Sequence, residues 1–483
     1  MLLCLSKNTF VRNYGNFTYL IQRIKSEDRM FHNAEVFMRW ITREPEEKDI
    51  IIKKICEVYS AEDSHLIQKD FEDFIAPLIK DKYILCGKTI SELNEQEEYF
   101  SYDAEYPKTT EDLSVISEEE ANFMPQKVLG DYFEANPTLF RLQMDITQAC
   151  TERCVHCYIP EYNPLFLPFE KIKEIIDEFA EMGGLELSLS GGECMLHPDF
   201  EKIIRYAREK DLIVGVLSNL TLCDEQKIKL LQETESTVQV SLYSMQPEIH
   251  DSITQRKGSW LKTKTAIEKL REAQVPCRIS CPTMKGNFKG YLDVINYARS
   301  LKMSAQTDFV IMAKMDGDTS NLSCRLALNE TRELLQGIIF KSVPVNSEYF
   351  KPAKKDEFVS NEEWKTRKIC GAGIDSMCIG AEGNYYPCPA FGGYVLGNCF
   401  KENLKEVWLR SPAILKLRNV RGKDFPKCVT CKDRDYCSIC MCRNFNETQN
   451  IFTPAEHFCK VASINHELVD ELHKQIANGT EDF

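Results

Sequence analysis

Cys150-Thr151-Glu152-Arg153-Cys154-Val155-His156-Cys157 is the stretch whose reading decides the fold. Its spacing is C-x3-C-x2-C, and Ser190-Gly191-Gly192-Glu193 follows after the next helical segment. Three thiolates this close can hold three irons of a 4Fe–4S cube and leave the fourth iron open. Zinc wants a fourth nearby ligand, and its tetrahedral patterns come as pairs of C-x2-4-C or C…H units. No second pair lies near this run, although His156 sits inside it.

Strand-like and helical patterns alternate around the run from Phe140 onward. Arg141–Ile146 reads as the strand before the cysteine loop, and a helix over Glu170–Met182 leads to a strand at Leu185–Leu189. Helices at Phe200–Lys210 and Glu225–Gln232 lead to strands at Ile213–Leu217 and Val238–Tyr243, and Cys277–Cys281 and Thr307–Ile311 are strand-like further on. Repeated βα units imply a parallel barrel with its chemistry at the C-terminal strand ends. The count is about six units over residues 140–330.

On the C-x3-C-x2-C loop after the first strand and the Gly-Gly-Glu after the second, this region resembles the radical S-adenosylmethionine (SAM) superfamily. The resemblance implies an α/β fold with a partial, open (β/α)6 barrel. It implies that Cys150, Cys154 and Cys157 hold a cluster whose open iron binds SAM, and that one electron then yields a 5′-deoxyadenosyl radical. Gly191 and Gly192 would permit close backbone approach, and Glu193 would bind the methionyl ammonium. Ser218-Asn219 would lie near the ribose, Ser241 would bind ribose hydroxyls and Arg256 would approach the carboxylate. The bland alternatives are that the two serines cap turns and that Arg256 is a surface residue. Cys194 stands where the family usually has proline, and His156 where it usually has an aromatic, with packing against the cluster as the expected role.

A second cysteine group reads Cys370-x12-Gly383-x4-Cys388, then Cys428-x2-Cys431-x5-Cys437, Cys440, Cys442 and Cys459. A region short of core residues and dense in cysteine is normally stapled by metal. This pattern resembles the SPASM domain, which holds two auxiliary 4Fe–4S clusters and would bring the total to three. The resemblance assigns Cys428, Cys431, Cys437 and Cys459 to an outer cluster, and Cys370, Cys388 and one later cysteine to an inner one. The family position of that last ligand falls on Met441, between Cys440 and Cys442. Cys442 is favoured because Arg443 follows it, and Cys378 is a further candidate or a plain core cysteine. A zinc ribbon is the structural alternative for the C-x2-C-x5-C run.

Residues 1–90 read as a small domain of their own. Thr9–Gly15 and Thr18–Phe31 look like a hairpin, helices are expected at Ala34–Ile41, Lys48–Tyr59 and Leu66–Lys80, and Tyr83–Cys86 closes the unit as a strand. That arrangement looks like a winged helix. A DNA-reading winged helix needs a basic face, whereas residues 1–90 carry 14 basic and 14 acidic side chains. No nucleic-acid partner is expected. The unit resembles the peptide-recognition domains fused to enzymes that modify ribosomally made peptides, which bind a leader along the hairpin edge by strand addition. A structural cap is the bland reading.

Residues 91–139 are expected to be an acidic linker, since residues 91–140 hold only Lys108 and Lys127 against 13 acids. Glu95–Glu98, Glu111-Asp112 and Glu118–Glu120 carry that charge, with Phe100, Tyr106, Val115 and Phe123 as docking points. Residues 331–369 would connect the barrel to a cysteine-rich domain at 370–483.

The 483 residues suggest two or three domains. Hydrophobic content of 43% is ordinary for a globular protein, no run is long enough to span a bilayer, and Met1–Leu5 is too short for a secretory h-region. A large leaderless chain with 21 cysteines points to metal ligation in the cytoplasm rather than to disulfides.

The resemblances together imply a radical SAM/SPASM peptide maturase. Its first expected product is a thioether from cysteine to another residue's carbon (sactipeptide or ranthipeptide type), followed by carbon–carbon or carbon–oxygen cross-links. A flavodoxin or ferredoxin would donate electrons. The rivals are an anaerobic sulfatase-maturase, which lacks the N-terminal domain, and a non-enzymatic metal-dependent transcription factor.

Overall fold

A computed structural model of the protein describes residues 1–25, 27–59, 64–104, 125–342 and 360–477. The chain divides into two units, Met1–Pro137 and Thr138–Phe483.

The first unit holds two small antiparallel sheets. One has the order β5-β1-β6, from Leu2–Leu5 (β1), Glu46–Glu47 (β5) and Ile84–Gly87 (β6). The other is a meander of Thr9–Tyr14 (β2), Phe17–Gln22 (β3) and Glu27–His32 (β4), in the order β2-β3-β4. The single long strand expected at Thr18–Phe31 is therefore two strands. β3 pairs on both sides, and β2 and β4 are the two edges of this sheet. Helices at Glu35–Met38, Lys48–Tyr59 and Ser64–Lys80 follow. Phe71, Ile75 and Leu78 recur on one helix face and pack with Leu3, Leu20, Ile51, Ile55 and Tyr83. β1 escaped sequence reading because a four-residue apolar run has no visible period.

The stretch expected as a linker contributes two helices to this unit, where it is described. Thr89 caps the helix Ile90–Gln96 by accepting from the Glu92 amide, and Leu93 packs on Cys4 and Leu85. The Glu97 carboxylate then accepts from the Ser6 hydroxyl and the Lys7 amide, both at 3.1 Å. Helix Pro125–Ala135 buries Leu129 and Phe133, with Phe133 edge-on to Tyr14 at 5.2 Å and Gln126 donating to Asp28 at 2.8 Å. Its hydrophobic stripe overrides the acidity of the stretch. Residues 105–124, with Glu111-Asp112, Glu118–Glu120 and the apolar Tyr106, Val115 and Phe123, lie outside the described residues.

The second unit is built on one sheet of order β12-β11-β10-β9-β8-β7-β13-β14-β15. Six consecutive parallel strands, Arg141–Asp145 (β7), Glu186–Ser190 (β8), Ile213–Ser218 (β9), Thr237–Ser241 (β10), Cys277–Pro282 (β11) and Ser304–Asp308 (β12), are the βα series read from the sequence. Leu142 and Met144, Leu187 and Leu189, Val214 and Val216, and Val238 and Val240 are all buried. They alternate with Gln143, Asp145, Ser188, Ser190, Gln239 and Ser241, so one face of the sheet is apolar and the other polar. β12 starts three residues before the expected Thr307, because an edge strand with alternating exposure has no apolar run to mark it.

Ser376–Ile379 (β13), Asn384–Tyr386 (β14) and Gly397–Asn398 (β15) continue the same sheet. β13 runs parallel to β7 with Cys378 opposite Gln143, so the cysteine-rich region is hydrogen-bonded to the first strand of the parallel series. The connecting segment begins as the helix Leu328–Ser342, in which Leu335 packs on Val461 and Leu468 of the terminal helix Glu456–Ala477. Residues 343–359 lie outside the described residues. Among the described residues no helix is long and apolar enough to cross a membrane.

Candidate functional site

The cysteine loop leaves the C-terminal end of β7 and is tied down on three sides. Thr147 donates to the Leu165 carbonyl at 2.8 Å and accepts from the Ala149 amide. The Arg153 and Val155 amides donate to the Thr254 and Ile253 carbonyls, both at 2.9 Å, at the end of helix Pro247–Thr254. The Asn321 side chain donates to the carbonyls of His156, Cys157 and Met312. These bonds hold the backbone carrying Cys150, Cys154 and Cys157 without help from the thiols.

The Gly-Gly-Glu turn lies directly under this loop. Gly192 and Glu193 donate their amides to the Thr147 and Ala149 carbonyls, both at 2.8 Å. A Cβ on Gly191, whose φ is +127°, would lie 2.2 Å from the Thr147 oxygen, and one on Gly192 would lie 2.3 Å from that of Ala149. Only glycine fits at either position. The carboxylate of Glu193 is buried and accepts from the Ser218 hydroxyl at 2.8 Å, the Met195 amide at 3.0 Å, the Asn219 amide at 2.8 Å and the Cys194 thiol at 3.9 Å. Burial pushes its pKa up while those donors pull it down. Asn219 in turn donates its side chain to Thr151 at 2.9 Å and to Cys150 Sγ at 3.8 Å. Thus Glu193, Ser218 and Asn219 form one network reaching the first cysteine.

Ser241 lies at the end of β10 and hydrogen-bonds the Tyr243 hydroxyl. Tyr243 also meets Cys154 Sγ at 3.9 Å and His156 Nε2 at 3.5 Å, with the His156 ring edge-on at 5.2 Å. Arg256 is exposed on a turn clamped by Asp251, which accepts from Gly258, Ser259 and Trp260. Its charge is felt by Glu152. Glu152, inside the quoted run, is a functional candidate that motif reading passed over. Its Oε2 lies 3.5 Å from Cys154 Sγ, while its Oε1 is buried with no partner.

The second cysteine group gathers in two places. A largely apolar cavity is lined by Cys428, Cys431, Cys437, Cys440 and Cys459. Arg443 closes one wall, its guanidinium 4.1 Å from the Phe458 ring centroid. His466 on the terminal helix bonds Asp433 at 2.8 Å and stacks on Tyr436 at 4.3 Å, drawing the helix that carries Cys459 toward the loop of the others. In the other, Cys442 lies against Cys388 and Cys440, while Cys370 and Cys378 are each near enough to Cys388 to feel its charge. Gly383 turns the β13–β14 hairpin with φ of +86°, and a Cβ there would meet the Phe400 ring at 2.6 Å.

Residues 144–298 match the radical SAM superfamily, and residues 370–441 match the SPASM iron–sulfur cluster-binding domain. The chain is a radical SAM enzyme with a SPASM domain. It is 27% identical over 327 residues to the subtilosin biosynthesis protein AlbA of Bacillus subtilis, covering 65% of this chain and 69% of that one. It is 26% identical to the AdoMet-dependent heme synthase of Methanosarcina barkeri over 338 residues, covering 65% of this chain and 94% of the other. The fold is shared with Streptococcus suis SuiB in its complex with the precursor peptide SuiA. There the TM-score is 0.62 at 17% identity, over 95% of this chain and 99% of that chain.

The radical SAM loop suits a cluster on chemical grounds. Burial raises the pKa of Cys150 to about 12, lifts that of Cys154 well above its ordinary value, and raises Cys157 as well. Thiols held so are thiolates only when positive charge meets them, which irons would provide. The pKa of Glu152 is raised to about 7 and that of His156 lowered to about 4, both by burial, and His156 Nδ1 has no partner. A carboxylate oxygen and an imidazole nitrogen of this loop are thus buried without hydrogen-bond partners. Among the described residues no three His, Cys, Asp or Glu side chains converge on a single ion.

Proposed function

We propose that this radical SAM enzyme modifies a ribosomally made precursor peptide, first of all by joining a cysteine sulfur to a carbon of another residue. The observation that carries this reading is the likeness in fold to peptide-bound SuiB over 95% of the chain, a span too long to omit the N-terminal unit. The sequence likenesses to AlbA and to the heme synthase each reach 65% of the chain. Similarity to a bacteriocin biosynthesis protein favours a peptide substrate and, within peptides, a thioether.

The roles of the residues follow from their places. Cys150, Cys154 and Cys157 would hold the SAM-binding cluster, and two further cubes would sit in the SPASM domain, making three. Bound SAM and its cluster supply a 5′-deoxyadenosyl radical, which removes hydrogen from unactivated carbon. Glu193 would orient the ammonium of SAM, with Ser218 and Asn219 fixing its carboxylate. Ser241 and Tyr243 would line the ribose side, and Arg256 would meet the carboxylate.

The N-terminal unit, read as a winged helix, would take the leader peptide on β4. That strand leaves backbone groups unpaired on one side. Low-potential electrons would come from a flavodoxin or ferredoxin, in the reducing cytoplasm that free thiolates require. The experiment is anaerobic incubation with short cysteine-containing peptides encoded beside the gene, followed by mass spectrometry with and without a thiol alkylator. A thioether removes two hydrogens and one alkylatable cysteine. Loss of two hydrogens with every cysteine still alkylated points to carbon–carbon or carbon–oxygen bonding, and formylglycine points to a sulfatase-maturase. Failure to modify any such peptide, with SAM still cleaved, would reject the peptide reading.

A further inference from the structure

The chain carries a net charge of −14, and many surface cations of the parallel series are matched by carboxylates. Lys173 pairs with Glu170, Lys202 with Asp199, Lys227 with Asp224 and Lys269 with Glu225. One face differs. Arg153, Lys257, Lys262 and Lys285 are exposed, and none of them forms an ion pair among the described residues. The fold brings them to one side of the cysteine loop. Arg153 and Val155 donate their amides to the Thr254 and Ile253 carbonyls, both at 2.9 Å, so the loop runs beside the turn that carries Lys257. Lys262 follows within the first turns of helix Ser259–Glu272. Lys285 precedes Gly286, where a Cβ would lie 3.8 Å from the Ile253 side chain. The Lys285 ammonium donates to the Ser323 carbonyl at 2.9 Å.

A helix N-terminus is itself positive and favours acidic residues in its first turn. Helices Phe169–Glu181, Phe200–Glu209, Glu225–Glu233, Pro247–Thr254 and Tyr291–Ser300 each have one there, whereas Ser259–Glu272 has none. Two acids of this region are turned inward instead. Asp251 accepts from Gly258, Ser259 and Trp260, and Glu152 is 3% exposed. The cations outside are left without an internal counter-charge, which is the arrangement an external anion completes. Two apolar side chains stand among them, Val155 at 38% exposure and Leu261 at 63%. Exposed apolar groups rimmed by charge are the make-up of a protein-docking surface.

We propose that this face docks an acidic protein that delivers one low-potential electron. The assignment rests on the reading of Cys150, Cys154 and Cys157 as the SAM cluster site, and it deepens that reading. Arg153 and Val155 flank Cys154 in the chain, so a carrier seated here is separated from the Cys154 thiol by the thickness of one loop. Electron tunnelling weakens steeply with distance, which favours this side over any remoter one. The carrier's reduced flavin or iron–sulfur group loses one electron, the cluster gains it, and no atom crosses the interface. A chain of net charge −14 repels an acidic partner as a whole. Local cations offset that repulsion, speed the encounter and fix its direction. Arg256, beside Lys257, stays with the SAM carboxylate.

The test uses the full chain, loaded anaerobically, with an acidic bacterial flavodoxin as the probe. Flavodoxin binding is measured by calorimetry at low and high salt. The second-order rate of 5′-deoxyadenosine formation with reduced flavodoxin is compared with the rate driven by dithionite. Binding and the flavodoxin-driven rate should both weaken in the parent as salt rises. Lys257→Glu, Lys262→Glu and Lys285→Glu combined should lower the flavodoxin-driven rate about tenfold or more and flatten its salt dependence. Iron content and the dithionite-driven rate should stay at the parent's values. Arginine at the same three positions should keep the parent's binding and rate. Unchanged flavodoxin binding and rate in the charge-reversed variant overturns the docking face. An equal fall in the dithionite-driven rate, or a loss of precursor-peptide binding in place of flavodoxin binding, overturns it as well. A parent that cleaves no SAM with dithionite overturns the reading of the cysteine loop itself, a result distinct from the others.

Discussion

The Glu193 carboxylate accepts the Asn219 backbone amide at 2.8 Å, and the Asn219 side chain reaches Cys150 Sγ at 3.8 Å. One residue at the end of β9 therefore links the Gly-Gly-Glu turn to the first cysteine of the radical SAM loop. The coupling is steric as well as polar, because the glycines of the turn rest on the carbonyls of that loop.

Glu193→Gln should cost about 2–3 kcal/mol of stability. The new amide has one acceptor where the carboxylate had two, and its NH2 must face a backbone or hydroxyl donor. Urea unfolding of the loaded protein without SAM measures this. Asn219→Ala keeps the backbone amide and should cost less. The opposite ranking would show that the side-chain reach to Cys150, not the carboxylate network, holds the turn.

Gly192→Ala places a methyl 2.3 Å from the Ala149 oxygen and 2.6 Å from that of Gln148. Backbone on both sides cannot yield as a flexible side chain does, so the loop must shift. The variant is expected to bind about four irons fewer than wild type while its SPASM iron remains. Full iron loading would mean the turn can move away without disturbing the cysteines.

Changing Cys150, Cys154 and Cys157 together to alanine should abolish 5′-deoxyadenosine formation from SAM under strong reductant. Auxiliary iron, about eight atoms per chain, should persist. Product formation at any rate above background by this variant would remove the three cysteines from the SAM site.

Hydrogen exchange can locate the leader. Along Glu27–His32, alternate amides face away from β3 and should exchange fast in the free protein. Added precursor peptide should slow them if a strand pairs there, while β3 amides, already bonded on both sides, change little. Protection confined to the helices of the first unit would move the docking site off the sheet edge.

Reading the sequence found the first five parallel strands because of their buried apolar residues and the helices between them, and it overlapped only the end of β12, which has no apolar run. It found the cysteine loop and the glycine pair because metal chemistry and close approach demand particular residue types at short spacing. It did not find β1, the break between β3 and β4, or the helix Pro125–Ala135 within the acidic stretch. Four residues are too few for a period to show, a turn inside an aromatic run leaves no gap, and net charge hides a stripe carried by Leu129 and Phe133.

The residue types at Cys150–Cys157, Ser190–Glu193 and Cys428–Cys459 were determined by the sequence alone, since ligand chemistry reads the same in any conformation. Which thiols share a site was decided by tertiary structure. Cys388 lies more than 50 residues before Cys442, and the two thiols meet only in the folded chain. The partners of Glu193 belong with them: Ser218 and Asn219 are 25 and 26 residues away. A hydrogen bond or a metal corner depends on distance in space, and over such separations the chain's path, not its spacing, sets that distance.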